Sequence, residues 1–326
     1  MSALRVGVLA YPGCYASEVF GVPDLLTMAA RIAGPGHSDY EVSVISPRRR
    51  VVSSGNVTLA VSPLRRVDVL VVPGFELVTG TDLDTRLAAL GPEIAAIRAG
   101  AAAGTAIVSI CVGAFLLGHA GLLTGRQATT AWLFADELAR RHPQADVRSD
   151  RLVLTDGGIT TTAAFSAMYD FALDLIARHS GREVARTTAR VALIDDARMS
   201  QTPYVDARLL PRPGNTFSRK VMRHLEQHLT ARYDLAGLAN TFHVSTRTLL
   251  RRFANETGST PLEHLQSARV RRARHLLETT DRTVTSVCAA VGYRDPGTFA
   301  ALFAKHTGQR PGDYRATFHR DRSRID

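Results

Sequence analysis

Val287-Cys288-Ala289-Ala290-Val291-Gly292-Tyr293-Arg294-Asp295 opens a run that continues through Thr298-Phe299, Phe303, Thr307-Gly308 and Pro311. The same order of residue types stands about 50 positions earlier, as Leu238-Ala239, His243-Val244-Ser245, Leu249, Phe253, Thr257-Gly258 and Pro261. Ala239/Cys288 and Val244/Tyr293 are 49 apart, whereas Leu249/Phe299, Phe253/Phe303, Thr257/Thr307 and Pro261/Pro311 are 50 apart, so one residue has been added at the turn. Two copies are too few for a solenoid and describe a duplicated small module. Each copy predicts a short apolar helix, a turn of three or four residues and a second helix. Ser245 and Asp295 have side-chain oxygens suited to the free N–H groups of a first helical turn. Gly258 and Gly308 are C-cap glycines with a proline three residues on. That is the layout of a helix-turn-helix, whose second helix lies in the major groove of DNA.

The charge distribution agrees. Residues 1–210 hold 20 Lys+Arg and 20 Asp+Glu, and the remaining residues hold 20 and 10, so the whole net charge of +10 lies in the last third. A neutral domain joined to a basic one points to a polyanion as partner of the second only. Across its 326 residues the chain is 45% hydrophobic and 21% charged, the composition of a globular protein long enough for two cores. Cys14, Cys111 and Cys288 are too few and too scattered for a disulfide framework or a metal site. Neither a signal peptide nor an apolar run of the ~18 residues that would span a bilayer is seen. The expectation is a protein of the bacterial cytosol and nucleoid, with no metal, no cofactor and no membrane partner.

Toward the N-terminus, strands are predicted at Arg5–Ala10, Glu41–Ser46, Asp68–Val72 and Ala106–Ile110, with helices from about Ser17 to Arg31 and over Pro92–Ala102. After Trp132 a helix to Arg141, strands at Leu152–Thr155 and Ile159–Thr161, and a long helix Ala163–His179 follow. Alternating strands and helices predict a parallel sheet covered on both faces, with ligands beyond the carboxyl ends of the strands. Ser109-Ile110-Cys111-Val112-Gly113 has the spacing of a nucleophile elbow, which would expose Cys111 where a helix dipole lowers its pKa. Backbone N–H groups of Val112 and of the Gly74-Phe75 loop would form an oxyanion site. Tyr11, Cys14 and Phe75 lie beside the strand ends as further pocket residues. The Arg48–Arg50 run reads as an exposed loop, and Asp170 and Asp174 as a solvated helix face.

These pieces resemble the PfpI/class I glutamine amidotransferase-like family over residues 5–200. The resemblance rests on Ser109-Ile-Cys111-Val-Gly-Ala-Phe-Leu-Leu117, Ala120-Gly-Leu-Leu-Thr-Gly125 and Ala128-Thr-Thr-Ala-Trp132. It implies a flavodoxin-like α/β sheet domain in which Glu18 on the first helix sits against Cys111. Catalytic members place a histidine just before the tryptophan, where this chain has Ala131. His119 would point away from the elbow, and nothing in sequence returns His142 to it. The elbow is therefore read as degenerate, with no catalytic residues, and Glu18, Gly74, Phe75, Cys111 and Val112 as walls of a ligand pocket. The alternative is a cysteine-dependent amidase or hydrolase tethered to DNA.

Pro203-Tyr-Val and Pro211-Arg-Pro213-Gly214-Asn215 interrupt the periodicity, which predicts a sensor domain over 1–202, a linker over 203–215 and an all-α domain over 216–326. A helix is predicted from near Thr216 with Phe217, Val221, Leu225 and Leu229 on one stripe. Within the first reading helix, Thr246–Glu256, Leu249 and Phe253 are core, and Arg247 and Arg251 lie four apart on another face as base-reading residues. Ser245, Thr246, Leu250 and Arg252 complete the first DNA surface, Arg252 as a phosphate contact. Arg294, Gly297, Thr298, Ala301 and Lys305 form the sparser second one. On the helix from Leu262 to about Glu278, Leu262, Leu265, Ala273, Leu276 and Leu277 read as core, and Arg269, Arg271, Arg272 and Arg274 as solvated or phosphate-facing.

Residues Leu235 to Arg315 resemble the AraC-type DNA-binding domain, with helix-turn-helix units at about 235–256 and 284–306. Family members often carry arginine at the position of Ala301. The two resemblances together imply an AraC/XylS-type transcriptional regulator with a PfpI-like sensor. Its implied partners are double-stranded DNA, an amino acid or other nitrogenous metabolite as effector, a second copy in a homodimer, and RNA polymerase.

Overall fold

A computed structural model describes residues 3–34, 40–77, 82–195, 198, 200–205, 209, 217–257 and 259–318. The chain divides into two compact units, Met1–Gln201 and Thr202–Asp326. Pro211, Pro213, Gly214, Asn215, the helix start at Thr216 and the cap at Gly258 lie outside the described residues.

In the first unit the strands are β1 (Leu4–Leu9), β2 (Tyr40–Ser46), β3 (Val51–Val52), β4 (Thr58–Leu59), β5 (Ser62–Pro63), β6 (Val69–Val72), β7 (Ala106–Ser109), β8 (Gln127–Ala128), β9 (Asp146–Val147), β10 (Val153–Asp156) and β11 (Ile159–Thr162). The helices are α1 (Ala16–Ala33), α2 (Leu83–Ala88), α3 (Gly91–Ala102), α4 (Ala114–His119), α5 (Ala135–Arg141), α6 (Ala167–His179) and α7 (Arg182–Val191). Seven strands form one sheet in the order β10-β11-β7-β6-β1-β2-β5. All its pairs are parallel except β10 with β11. Val69–Val72 is buried at every position, as an inner strand covered on both faces must be. The first helix, α1, packs on α6 and α7, while α3 packs on β7 and α4. This is a flavodoxin-like sheet.

Three local expectations need correction. The last long helix starts at Ala167, because Ala163 N–H still donates to Leu152 O and prolongs the strand pairing. Arg48 is not a free loop charge: its Nε donates to Oε1 of the buried Glu93 at 2.5 Å. Asp170 is not solvated either, since its half-buried carboxylate pairs with Arg198.

The second unit holds α8 (Phe217–Gln227), α9 (Leu235–Thr241), α10 (Thr246–Thr257), α11 (Pro261–Thr279), α12 (Val284–Ala290), α13 (Pro296–Thr307) and α14 (Pro311–Phe318). It has two cores. Val221, Leu225, Leu238, Leu249, Phe253 and Leu265 make the first. Val287, Cys288, Phe299, Phe303 and Tyr314 make the second, with Val270, Ala273, Leu276 and Leu277 of α11. Helix α11 thus runs through both cores, and its start is fixed by a capping box of Thr260 and Glu263. Leu262, expected in the core, is 39% exposed on its first turn.

Candidate functional site

The elbow forms because β7 ends against the end of β6. Cys111 has φ 53°, a left-handed conformation that costs a non-glycine residue roughly 1–2 kcal/mol. Two residues on, a Cβ at Gly113 would lie 2.6 Å from Val72 O and 2.7 Å from Pro73 O, so only glycine lets the turn approach the neighbouring strand. Glu18 comes from the first turn of α1. Its Oε2 accepts from Gly74 N–H at 2.5 Å, and Oε1 is buried without a partner among the described residues. A Cβ on Gly74 would stand 3.2 Å from both Cys111 Cβ and Glu18 Oε2.

Glu18, Gly74 and Cys111 therefore converge, and the backbone at Val112 and Phe165 pulls against the rise in the thiol's pKa. The electrostatics are opposite to the expectation. Burial pushes the Cys111 thiol up to about 12, with the Glu18 carboxylate adding to the effect, so the sulfur is a thiol and not a thiolate. Burial likewise lifts Glu18 to about 7, against the opposing pull of the Gly74 N–H. Cys111 is 9% exposed, not presented at a surface. Of the expected oxyanion donors, Gly74 N–H is spent on Glu18. Tyr11, Cys14 and Phe75 are fully buried behind the turn, with Tyr11 donating to Pro73 O.

Ala131, at the position of the missing histidine, is 6% exposed. Both histidines considered earlier sit at the far end of α4: His119 faces Phe115 O at 3.1 Å, and its ring meets that of His142 with centroids 5.4 Å apart. Beside Ala131 stands a residue that sequence reasoning missed. Gln201 is buried, donates to Thr130 O at 2.9 Å and accepts from Trp132 N–H at 3.0 Å. Thr130 in turn donates to Cys111 O at 2.8 Å. Gln201 lies about 70 residues from these partners, and no local pattern marks it.

In the second unit, Ser245 accepts from Thr248 N–H at 3.2 Å and Asp295 from Thr298 N–H at 2.6 Å, as caps. His243 (φ 52°) and Gly292 (φ 84°) hold matching left-handed turn positions. The added residue of the second copy is Arg294. Ser245, Thr246, Arg247, Arg251, Arg252, Arg294, Gly297, Thr298, Ala301 and Lys305 are all exposed, and Leu250 is half-buried. Arg247 and Arg251 carry no ion pair among the described residues. Arg252 is spoken for in part, with its guanidinium 4.1 Å over the Phe217 ring. Thr298 spends its hydroxyl on Asp295.

Three arginines of α11 have partners within the fold. Arg269 is 7% exposed, donates to Leu229 O at 2.8 Å and Ala231 O at 2.6 Å, and lies over Tyr293. Arg274 donates to Tyr314 Oη, Pro203 O and Val205 O. Arg271 pairs with Glu226 at 3.0 Å. Only Arg272 of the four is exposed.

Comparison with known proteins agrees with both halves. Residues 5–178 match the DJ-1/PfpI family, and residues 238–317 match a helix-turn-helix domain. The HTH-type transcriptional regulator CdhR of Pseudomonas aeruginosa is 29% identical over 88% of this chain and 85% of its own length. GlxA of Rhizobium meliloti, another HTH-type transcriptional regulator, is 29% identical over 65% of each chain. A crystal structure of a putative transcriptional regulator from Vibrio parahaemolyticus shares the fold of 58% of this chain over 99% of its own, with TM-score 0.50 and 20% identity.

Proposed function

The chain belongs to the DJ-1/PfpI family, and from that premise, with a helix-turn-helix domain behind the family fold, we propose that it is a sequence-specific DNA-binding transcriptional regulator. The observation that carries this reading is α10, the second helix of a capped helix-turn-helix, with Arg247 and Arg251 exposed four residues apart and uncommitted. A pair of that kind can each reach a guanine edge bidentately. Helix α13 offers Lys305 and little else, so the first helix-turn-helix discriminates sequence and the second helix-turn-helix, with Arg294 in its turn, grips phosphate. Two reading helices would occupy successive major-groove faces about 34 Å apart.

The first unit binds a small nitrogenous effector or carries the homodimer contact, and shifts the conformations competent for DNA and RNA polymerase. An effector does so only if it binds those states unequally. Hydrolysis is disfavoured: the thiol is held neutral near pH 7, and Ala131 supplies no acid or base.

Selection from random duplexes with the full chain, followed by Arg251→Ala and Lys305→Ala on matched and mismatched sites, tests the reading. Arg251→Ala should cost about 1–3 kcal/mol of discrimination at one base pair, and Lys305→Ala should weaken all sites alike. A larger loss of discrimination from Lys305→Ala would overturn the assignment. No enriched sequence at all would overturn the function.

A further inference from the structure

Away from the elbow, the first unit carries a second concave site. Helices α6 and α7 leave a cavity of about 500 Å³ beside the edge strand β10. Its floor is apolar, with Leu152, Leu173 and Ala185 buried. Around it stand Arg151, Arg182, Arg186 and Arg198, with Asp170 and Asp174 as the carboxylates of the lining and Asp195 near Asp170. Both lining acids are already taken, Asp170 by Arg198 and Asp174 by Arg178 at 2.9 Å. The guanidinium groups of Arg151, Arg182 and Arg186 have no acceptor among the described residues. Arg198 already donates from both Nη atoms to Ser166 and Asp170, and its Nε is buried without a partner among the described residues.

Uncompensated guanidinium groups gathered over an apolar floor suit an anion with an apolar body. A bare phosphate would leave the floor uncovered, and a neutral apolar molecule would gain nothing from the exposed guanidinium groups of Arg151, Arg182 and Arg186 at the rim. Arginine also matches a carboxylate in plane, two N–H groups to two oxygens. We propose that this groove binds a small organic monocarboxylate, aromatic or medium-chain aliphatic, separately from the elbow. The proposal does not depend on the DNA-binding reading, because binding is measured directly.

Calorimetric titration of the full chain with phenylacetate and octanoate tests it, with phenylacetamide as uncharged control and inorganic phosphate as bare anion. At least one carboxylate should bind with Kd below about 1 mM, and both controls at least tenfold more weakly. Arg186→Glu should lower the carboxylate affinity at least tenfold, while Cys111→Ala leaves it unchanged. Arg186 is exposed on α7, and thermal melting without ligand checks that the variant folds. Should Arg186→Glu melt early, Arg182→Gln with Arg186→Gln takes its place under the same criterion. Neither carboxylate binding, equally tight phosphate (an adventitious ion only), or affinity that follows Cys111 and not Arg186 would overturn the proposal. Self-association of the wild type abolished by Arg186→Glu would also overturn it, by assigning the groove to an interface between copies.

Discussion

Glu18 holds its carboxyl where solvent does not reach, and that sets a pH dependence of known sign. Its ordinary value of 4.5 is raised to about 7 by burial. Below pH 4.5 the folded and unfolded chains both keep the proton. Between 4.5 and about 7 only the folded chain keeps it, so stability falls as pH rises, and above about 7 the full cost is carried. A shift of that size corresponds to on the order of 3 kcal/mol. Glu18→Gln keeps an acceptor for Gly74 N–H and removes the titration. Its stability relative to wild type, read from urea midpoints, should therefore rise between pH 4.5 and 8; a flat difference would show that the carboxyl is not protonated in the folded chain. Arg269 gives a second residue-scale test. Arg269→Met leaves Leu229 O and Ala231 O without their donor and should cost about 2–3 kcal/mol, whereas Arg272→Ala, exposed on the same helix, should change stability by less than about 0.5 kcal/mol. Equal effects in denaturant titrations would mean that Arg269 is no more structural than its exposed neighbour.

At the scale of elements, the two turns solve one geometric problem with different residues. Gly292 sits with φ 84°, and a Cβ there would lie 2.7 Å from Thr230 Cα and 2.9 Å from Thr230 O. Gly292→Ala should thus cost more than about 2 kcal/mol, from backbone contact and left-handed strain together. His243 takes the equivalent conformation at φ 52°, so His243→Gly should stabilise the first helix-turn-helix by up to about 1 kcal/mol. Thermal melts of the two variants moving the same way would refute the equivalence. The helices themselves were legible, because Leu249 and Phe253, and Phe299 and Phe303, repeat a local 3.6-residue stripe that packing then used. The elbow was legible as a shape from its glycine spacing. Its chemistry was not: thiol acidity follows from burial, and burial of Cys111 depends on Glu18 and Gly74, far away in the chain. Gln201 and Arg269 were missed or misread for the same reason, since their acceptors are backbone carbonyls tens of residues away.

Over the whole molecule the division of charge decides how DNA affinity responds to salt. The first 210 residues balance their charges, and the excess of +10 belongs to the rest. Counterions released from DNA should then be counted by residues of the second unit alone. With six to ten phosphate contacts, raising salt from about 50 to about 200 mM should weaken binding by roughly 10³–10⁵. Lys305→Ala and Arg294→Ala should each reduce the slope of log affinity against log salt by about one, with equal losses on selected and random duplexes. Arg182→Ala and Arg186→Ala, in the neutral unit, should leave the slope unchanged. Arg251→Ala should act chiefly on the selected duplex. A slope that shifted with Arg182 or Arg186 would place phosphates against the first unit as well, and the assignment of DNA to the basic third of the chain would fail.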